Sequence, residues 1–79
     1  MRIRVNEVKP GMFSTERYVA FEVAGTEYSL FVDQTSVSDH TLEVKLIENY
    51  QDQALVELPR DTFTAGSRVF VPRNLIVLA

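Results

Sequence analysis

Ser38-Asp39-His40 sets side by side the three residue types of a hydrolase triad: a hydroxyl nucleophile, an imidazole base and a carboxylate to orient it. Adjacency argues against that chemistry. A triad is a chain of hydrogen bonds converging from separate elements, whereas three consecutive residues on a corner diverge. The alternative is a polar loop in which Ser38 or Asp39 caps a turn. His40, with Asp33, Asp39 and Glu43, also offers ligands to a divalent cation, but one imidazole and irregularly spaced carboxylates make a poor specific site. Gly11, Gly25 and Gly66 are isolated, so no glycine loop is spaced to cradle a phosphate. The expectation is a protein with no catalytic residues, no metal and no cofactor.

The composition narrows the partners. A chain of 79 residues is a single domain, 1–79, small enough that the buried fraction of its surface is modest. It contains no cysteine, so neither a disulfide nor a thiolate-bound metal supplements the core, and a reducing, cytoplasmic setting is expected. Met1 to Glu7 alternates where a secretory leader would carry an apolar run, and no stretch is apolar enough to span a bilayer. The net charge of −3 is dispersed. Phosphate backbones are bound by clustered cations, so nucleic acid is disfavoured unless Arg2, Arg4, Arg68 and Arg73 gather on one face. No membrane and no small-molecule partner is indicated.

Most of the chain alternates with a period of two. Ile3 and Val5 oppose Arg2, Arg4 and Asn6 in a strand from Arg2 to Val8, and Lys9-Pro10-Gly11 ends it. Ser14 to Ala24 has two readings. A helix would use Ser14 as N-cap with Val19 and Val23 four apart; a strand would line up Val19, Phe21 and Val23, which is the cleaner pattern. Ala24-Gly25-Thr26 reads as a tight hairpin turn, returning through Glu27 to Val32 with Tyr28, Leu30 and Val32 inward. Asp33 to His40 reads as a polar connection. Leu42, Val44 and Leu46 then alternate, a hairpin loop runs from Glu48 to Gln53, and Ala54, Val56 and Leu58 share a face. A longer loop is expected from Pro59 to Gly66, and a closing unit from Ser67 ends in a strand over Leu75 to Leu78 that pairs with Arg2 to Val8.

Ser29-Leu30-Phe31-Val32-Asp33-Gln34-Thr35-Ser36-Val37 is echoed by Arg68-Val69-Phe70-Val71-Pro72-Arg73-Asn74-Leu75-Ile76, which suggests pseudo-repeats over about 1–38 and 39–79. The expected fold is all-β: a small antiparallel β-barrel of about six short strands. The closing stretch Val71-Pro72-Arg73-Asn74-Leu75-Ile76 resembles the end of SH3 domains, where an apolar residue, Pro, any residue, Asn, usually Tyr, and Val or Ile form a 3₁₀ turn into the last strand. The resemblance implies an SH3-like barrel. It does not imply polyproline binding, because Leu75 stands at the Tyr position and the chain has no Trp.

If Leu30, Val32, Val69 and Val71 face the core, alternation turns Phe31 and Phe70 outward at equivalent points of the two halves, with Tyr50 at a hairpin tip. Exposed rings form contact patches unless Met12, Phe13 or Phe63 fold over them. The functional expectation is a non-enzymatic protein–protein interaction module or accessory subunit using Phe31, Phe70 and Tyr50, with self-association included. The alternative is a nucleic-acid-binding small barrel using the four arginines.

Overall fold

The computed structural model describes residues 1–77, which are all-β with no α-helix. The chain forms β1 (Arg2–Arg4), β2 (Glu7–Pro10), β3 (Glu16–Val23), β4 (Thr26–Asp33), β5 (Val37–Ser38), β6 (Thr41–Glu43), β7 (Lys45–Asn49), β8 (Gln53–Thr62), β9 (Gly66–Pro72) and β10 (Ile76–Val77). Short 3₁₀ turns, Gln34–Ser36 and Arg73–Leu75, precede β5 and β10.

The strands make three antiparallel sheets, in the orders β2-β3-β4, β7-β8-β9 and β10-β1-β6-β5. Each three-stranded sheet lies within one half of the chain. The four-stranded sheet is different, because each of its three pairings joins a strand before residue 39 to one after it.

The registers repeat as well. Ile3 lies opposite Leu42 at the centre of the four-stranded sheet, and each is flanked by the last strand of the other half: Ile3 opposite Ile76, and Leu42 opposite Val37. The Val5 N–H donates to the His40 carbonyl at 2.9 Å, and the Val44 N–H donates to the Met1 carbonyl at 2.9 Å. Both donors and acceptors are 39 residues apart, as are Ile3 and Leu42.

The core follows the same arrangement. Ile3, Val5, Leu30 and Val32 are buried, and so are Leu42, Val44, Val69 and Val71, each 39 positions later. Val19 and Phe21 of β3 match Val56 and Leu58 of β8 at a spacing of 37. The apolar period of two thus places one face of every long strand inside.

Of Ser14 to Ala24, Glu16–Val23 is strand: β3 starts after a turn at Ser14 and Thr15, runs to Val23 and turns through Ala24 and Gly25, whose φ values of 51° and 84° are those of a type I′ hairpin. β4 points Leu30 and Val32 inward as expected, with Tyr28 packed at the edge of the core.

Several expectations are corrected. The first strand breaks at Val5-Asn6, where Val8 loses step, and Pro10 ends β2 instead of following it. Pro10 is tolerated because β2 is a sheet edge, where one N–H can be absent from the ladder. The polar stretch after Asp33 holds a 3₁₀ turn and the strand β5, so it is more than a connection.

Leu46 does not face inward. A bulge between Leu46 and Glu48 breaks the alternation and leaves Leu46 exposed. The long loop expected from Pro59 is the second part of β8, which continues to Thr62 through an irregularity and closes in a three-residue turn. Gly66 supplies that turn's left-handed residue, and the Thr62 hydroxyl accepts from Ala65 N–H and donates to the Gly66 carbonyl.

The last strand pairs with β1 as expected, Arg2 opposite Val77, while Leu78 lies outside the described residues. The 3₁₀ turn read from the SH3-like ending is present at Arg73–Leu75, and its twin occurs at Gln34–Ser36. That turn is therefore a feature of both halves. The strands number ten against about six, because the stretches Arg2 to Val8 and Leu42 to Leu46 each divide between two strands and the two-residue β5 has too few side chains to show a period.

Candidate functional site

Five phenylalanines are present and only Phe21 is in the core. Phe13, Phe63 and Phe70 are 69%, 58% and 47% exposed, and Phe31 is half-buried. In a domain this small, large apolar side chains left outside while alanines are buried single out a candidate surface.

The exposed rings fall into two groups. Tyr18 and Phe31 are direct cross-strand neighbours on β3 and β4, and their rings meet edge to face at 5.9 Å. Phe63 comes from the turn after β8. Its N–H donates to the Ser29 carbonyl at 3.0 Å, tying the end of β8 to β4, and its ring stands 5.4 Å from Phe31 at 84°. Beside them, Lys9, Pro10, Tyr18 and Phe31 line a depression of about 280 Å³, and Lys9 Nζ lies 6.0 Å from the centre of the Tyr18 ring.

The second group pairs Tyr50, from the β7–β8 turn, with Phe70 of β9 at 5.8 Å. Arg73 fixes that turn by donating to the carbonyls of Gln51 and Tyr50 and to the Asn49 side chain. The hydroxyl of Tyr50 donates to Glu48, which raises its pKa above the ordinary tyrosine value; burial adds to the shift.

Phe31, Phe70 and Tyr50 thus do not form one patch in register. Phe70 and Tyr50 come together and stay accessible, whereas Phe31 lies under Phe63. Phe63 and Tyr18 complete the first group, and alternation could not assign Phe63 to it because Phe63 belongs to a turn. A third exposed apolar element, outside both groups, is the β2–β3 connection, where Met12 is 80% exposed beside Phe13. Gly11 closes that connection by approaching Glu16 closely: its N–H donates to the Glu16 carbonyl at 2.9 Å, and the Glu16 carboxylate accepts from Met12 N–H at 3.0 Å.

The four arginines are committed within the fold. Arg2 reaches Thr41, Glu43 and the Ser36 carbonyl; Arg4 donates to the Asn74 carbonyl; Arg68 pairs with Glu57; Arg73 holds the β7–β8 turn.

Ser38, Asp39 and His40 lie on the β5–β6 hairpin, where Asp39 and His40 are its two turn residues. Among the described residues no three of His, Asp and Glu are grouped to hold a metal ion. No helix among them is long and apolar enough to cross a membrane. Comparison with protein-family models, with curated proteins and with solved structures finds no match to this chain.

Proposed function

We propose that this chain is a non-enzymatic interaction module: a small β-barrel of two pseudo-symmetric halves, SH3-like in its closing turn, that binds a protein partner or a second copy through its exposed rings. The observation that carries the reading is the placement of Phe13, Phe63 and Phe70 on the outside of a domain with only one phenylalanine in its core. Aromatic side chains bury large area with little loss of rotamer freedom, which is why they dominate protein contact surfaces. The rings stand on paired strands and braced turns, so they are held in place before any partner arrives.

Protein is favoured over nucleic acid as the partner. Phosphate recognition needs cationic donors free to meet the backbone, whereas Arg2, Arg4 and Arg73 donate to acceptors of the fold and Arg68 is ion-paired with Glu57.

Light scattering of the wild type against a Phe63→Glu, Phe70→Glu double variant tests the reading, with circular dichroism as the control for folding. Loss of self-association, or of a copurifying partner, with the β-structure retained is the expected result. Identical mass, solubility and copurifying proteins in the two would reject it.

A further inference from the structure

We propose that two copies of this chain exchange halves by opening the Asp39–His40 turn, giving a domain-swapped dimer. The inference is independent of the aromatic groups and concerns how the halves are joined. All three pairings of the four-stranded sheet run between the first half and the second. Two residues, Asp39 and His40, connect them at the β5–β6 hairpin. If that connection straightens, the first half of one copy can dock on the second half of another and remake the same pairings.

The connection carries strain. Asp39 and His40 have φ of 50° and 60°, the left-handed region at both turn positions, and neither is glycine. The β3–β4 turn, which has the same form, places Gly25 at its second position. Left-handed backbone is disfavoured for residues with a Cβ, and short strained hinges favour exchange.

The register also continues through the hinge. Across β5 and β6, Val37 lies opposite Leu42 and Ser38 opposite Thr41, so paired numbers add to 79. Straightened, position 39 of one copy falls opposite position 40 of the other, and two further rungs form without a shift. On the other side of β6 the ladder already reaches the hinge, since the His40 carbonyl accepts from Val5 N–H at 2.9 Å. The open form keeps the described pairings, removes two left-handed residues and adds two rungs, offset by the entropy of association.

The test is refolding from denaturant over a range of chain concentrations, followed by size-exclusion chromatography with light scattering. Wild type yields a monomer and a dimer that interconvert slowly, because exchange passes through separation of the halves. His40→Gly relaxes the turn and shifts the dimer dissociation constant about tenfold toward monomer. Asp39→Thr with His40→Val, which resists positive φ, shifts it toward dimer. A Phe63→Glu, Phe70→Glu variant leaves this dimer unchanged, which separates it from association through the rings. Wild type that refolds only to monomer at the highest concentration, or a dimer whose population ignores His40→Gly, overturns the proposal, even if the Thr-Val variant fails to fold.

Discussion

The two halves of this chain meet the same structural demands with different residues. In the first, Asp33 caps the 3₁₀ turn, its carboxylate accepting from the backbone and hydroxyl of Thr35; in the second, Pro72 holds that place without a side-chain cap. The exposed edges are protected differently. β2 carries Lys9 and Pro10, whereas β7 carries Lys45 and the bulge after Leu46. The core is heavier on one side, with Phe21 where the second half has Leu58. The aromatic groups differ most, because Phe31 is packed between Tyr18 and Phe63 while Phe70 has only Tyr50. The backbone pattern common to the two halves thus accommodates different side chains, and the surfaces of the halves differ.

The largest expected contrast lies in the core. Phe21→Ala, at a side chain with no solvent exposure, should cost about 4 kcal/mol, and Leu58→Ala about 3 kcal/mol, measured by urea denaturation. Since a domain of this size has only about 5–10 kcal/mol of stability, Phe21→Ala should stand at the edge of unfolding. A larger loss at Leu58 would break the asymmetry.

The hairpins come next. A Cβ on Gly11 would meet Glu16 Cγ at 2.8 Å and its backbone carbon at 3.0 Å, so Gly11→Ala should open the connection and cost about 2 kcal/mol. Gln51→Ala, in the exposed β7–β8 turn, should stay within about 0.5 kcal/mol. Equal effects would mean that the Glu16 contacts do not hold the first hairpin.

At the rings, Phe31→Ala should cost about 1–2 kcal/mol through its two aromatic neighbours, and Phe70→Ala less than about 1 kcal/mol. Thermal denaturation of the two single variants measures the difference, and a reversed order would overturn it.

The smallest contrast is a pH dependence. The backbone and side-chain hydrogen bonds from Thr35 lower the pKa of Asp33 below its ordinary value of 3.8. A depressed folded value gives stability that is present above the unfolded pKa and lost as pH falls through the folded one. Thermal scans from pH 5 down to pH 2 should show wild type losing this increment while Asp33→Ala, which never had it, declines less. Parallel curves would remove the capping role.

The long alternating strands were legible in the sequence. β4 and the first part of β8 bury alternate residues, so the period itself identifies the inward face; in β3 Val19 and Phe21 follow the same period, although Ala20 between them is buried as well. Phe-Val at positions 31–32 and 70–71 lies in β4 and β9, where the residues on either side of each Phe are buried. What escaped depended on contacts remote in sequence. Val37 and Ser38 become a strand only because β6 lies beside them, and two residues cannot display alternation. The end of β8 was hidden by Pro59, Arg60 and Asp61, all unusual inside a strand and placed here where its pairing with β9 is interrupted. Of the candidate contact residues, Phe70 and Tyr50 were found from alternation and from a hairpin tip. Phe63 was legible only as one of three loop residues, with Met12 and Phe13, able to fold over the rings; that it is the one against Phe31 depends on a hydrogen bond to Ser29, more than thirty residues away.

The most direct measurement is the contact area itself, taken from backbone amide spectra of labelled protein as concentration rises, or as a copurifying partner is added. Shifts confined to Phe63, Phe70, Tyr50 and their neighbours, absent in the Phe63→Glu, Phe70→Glu variant, are what an interaction module with preformed aromatic groups requires. Shifts located elsewhere and indifferent to both substitutions would contradict it.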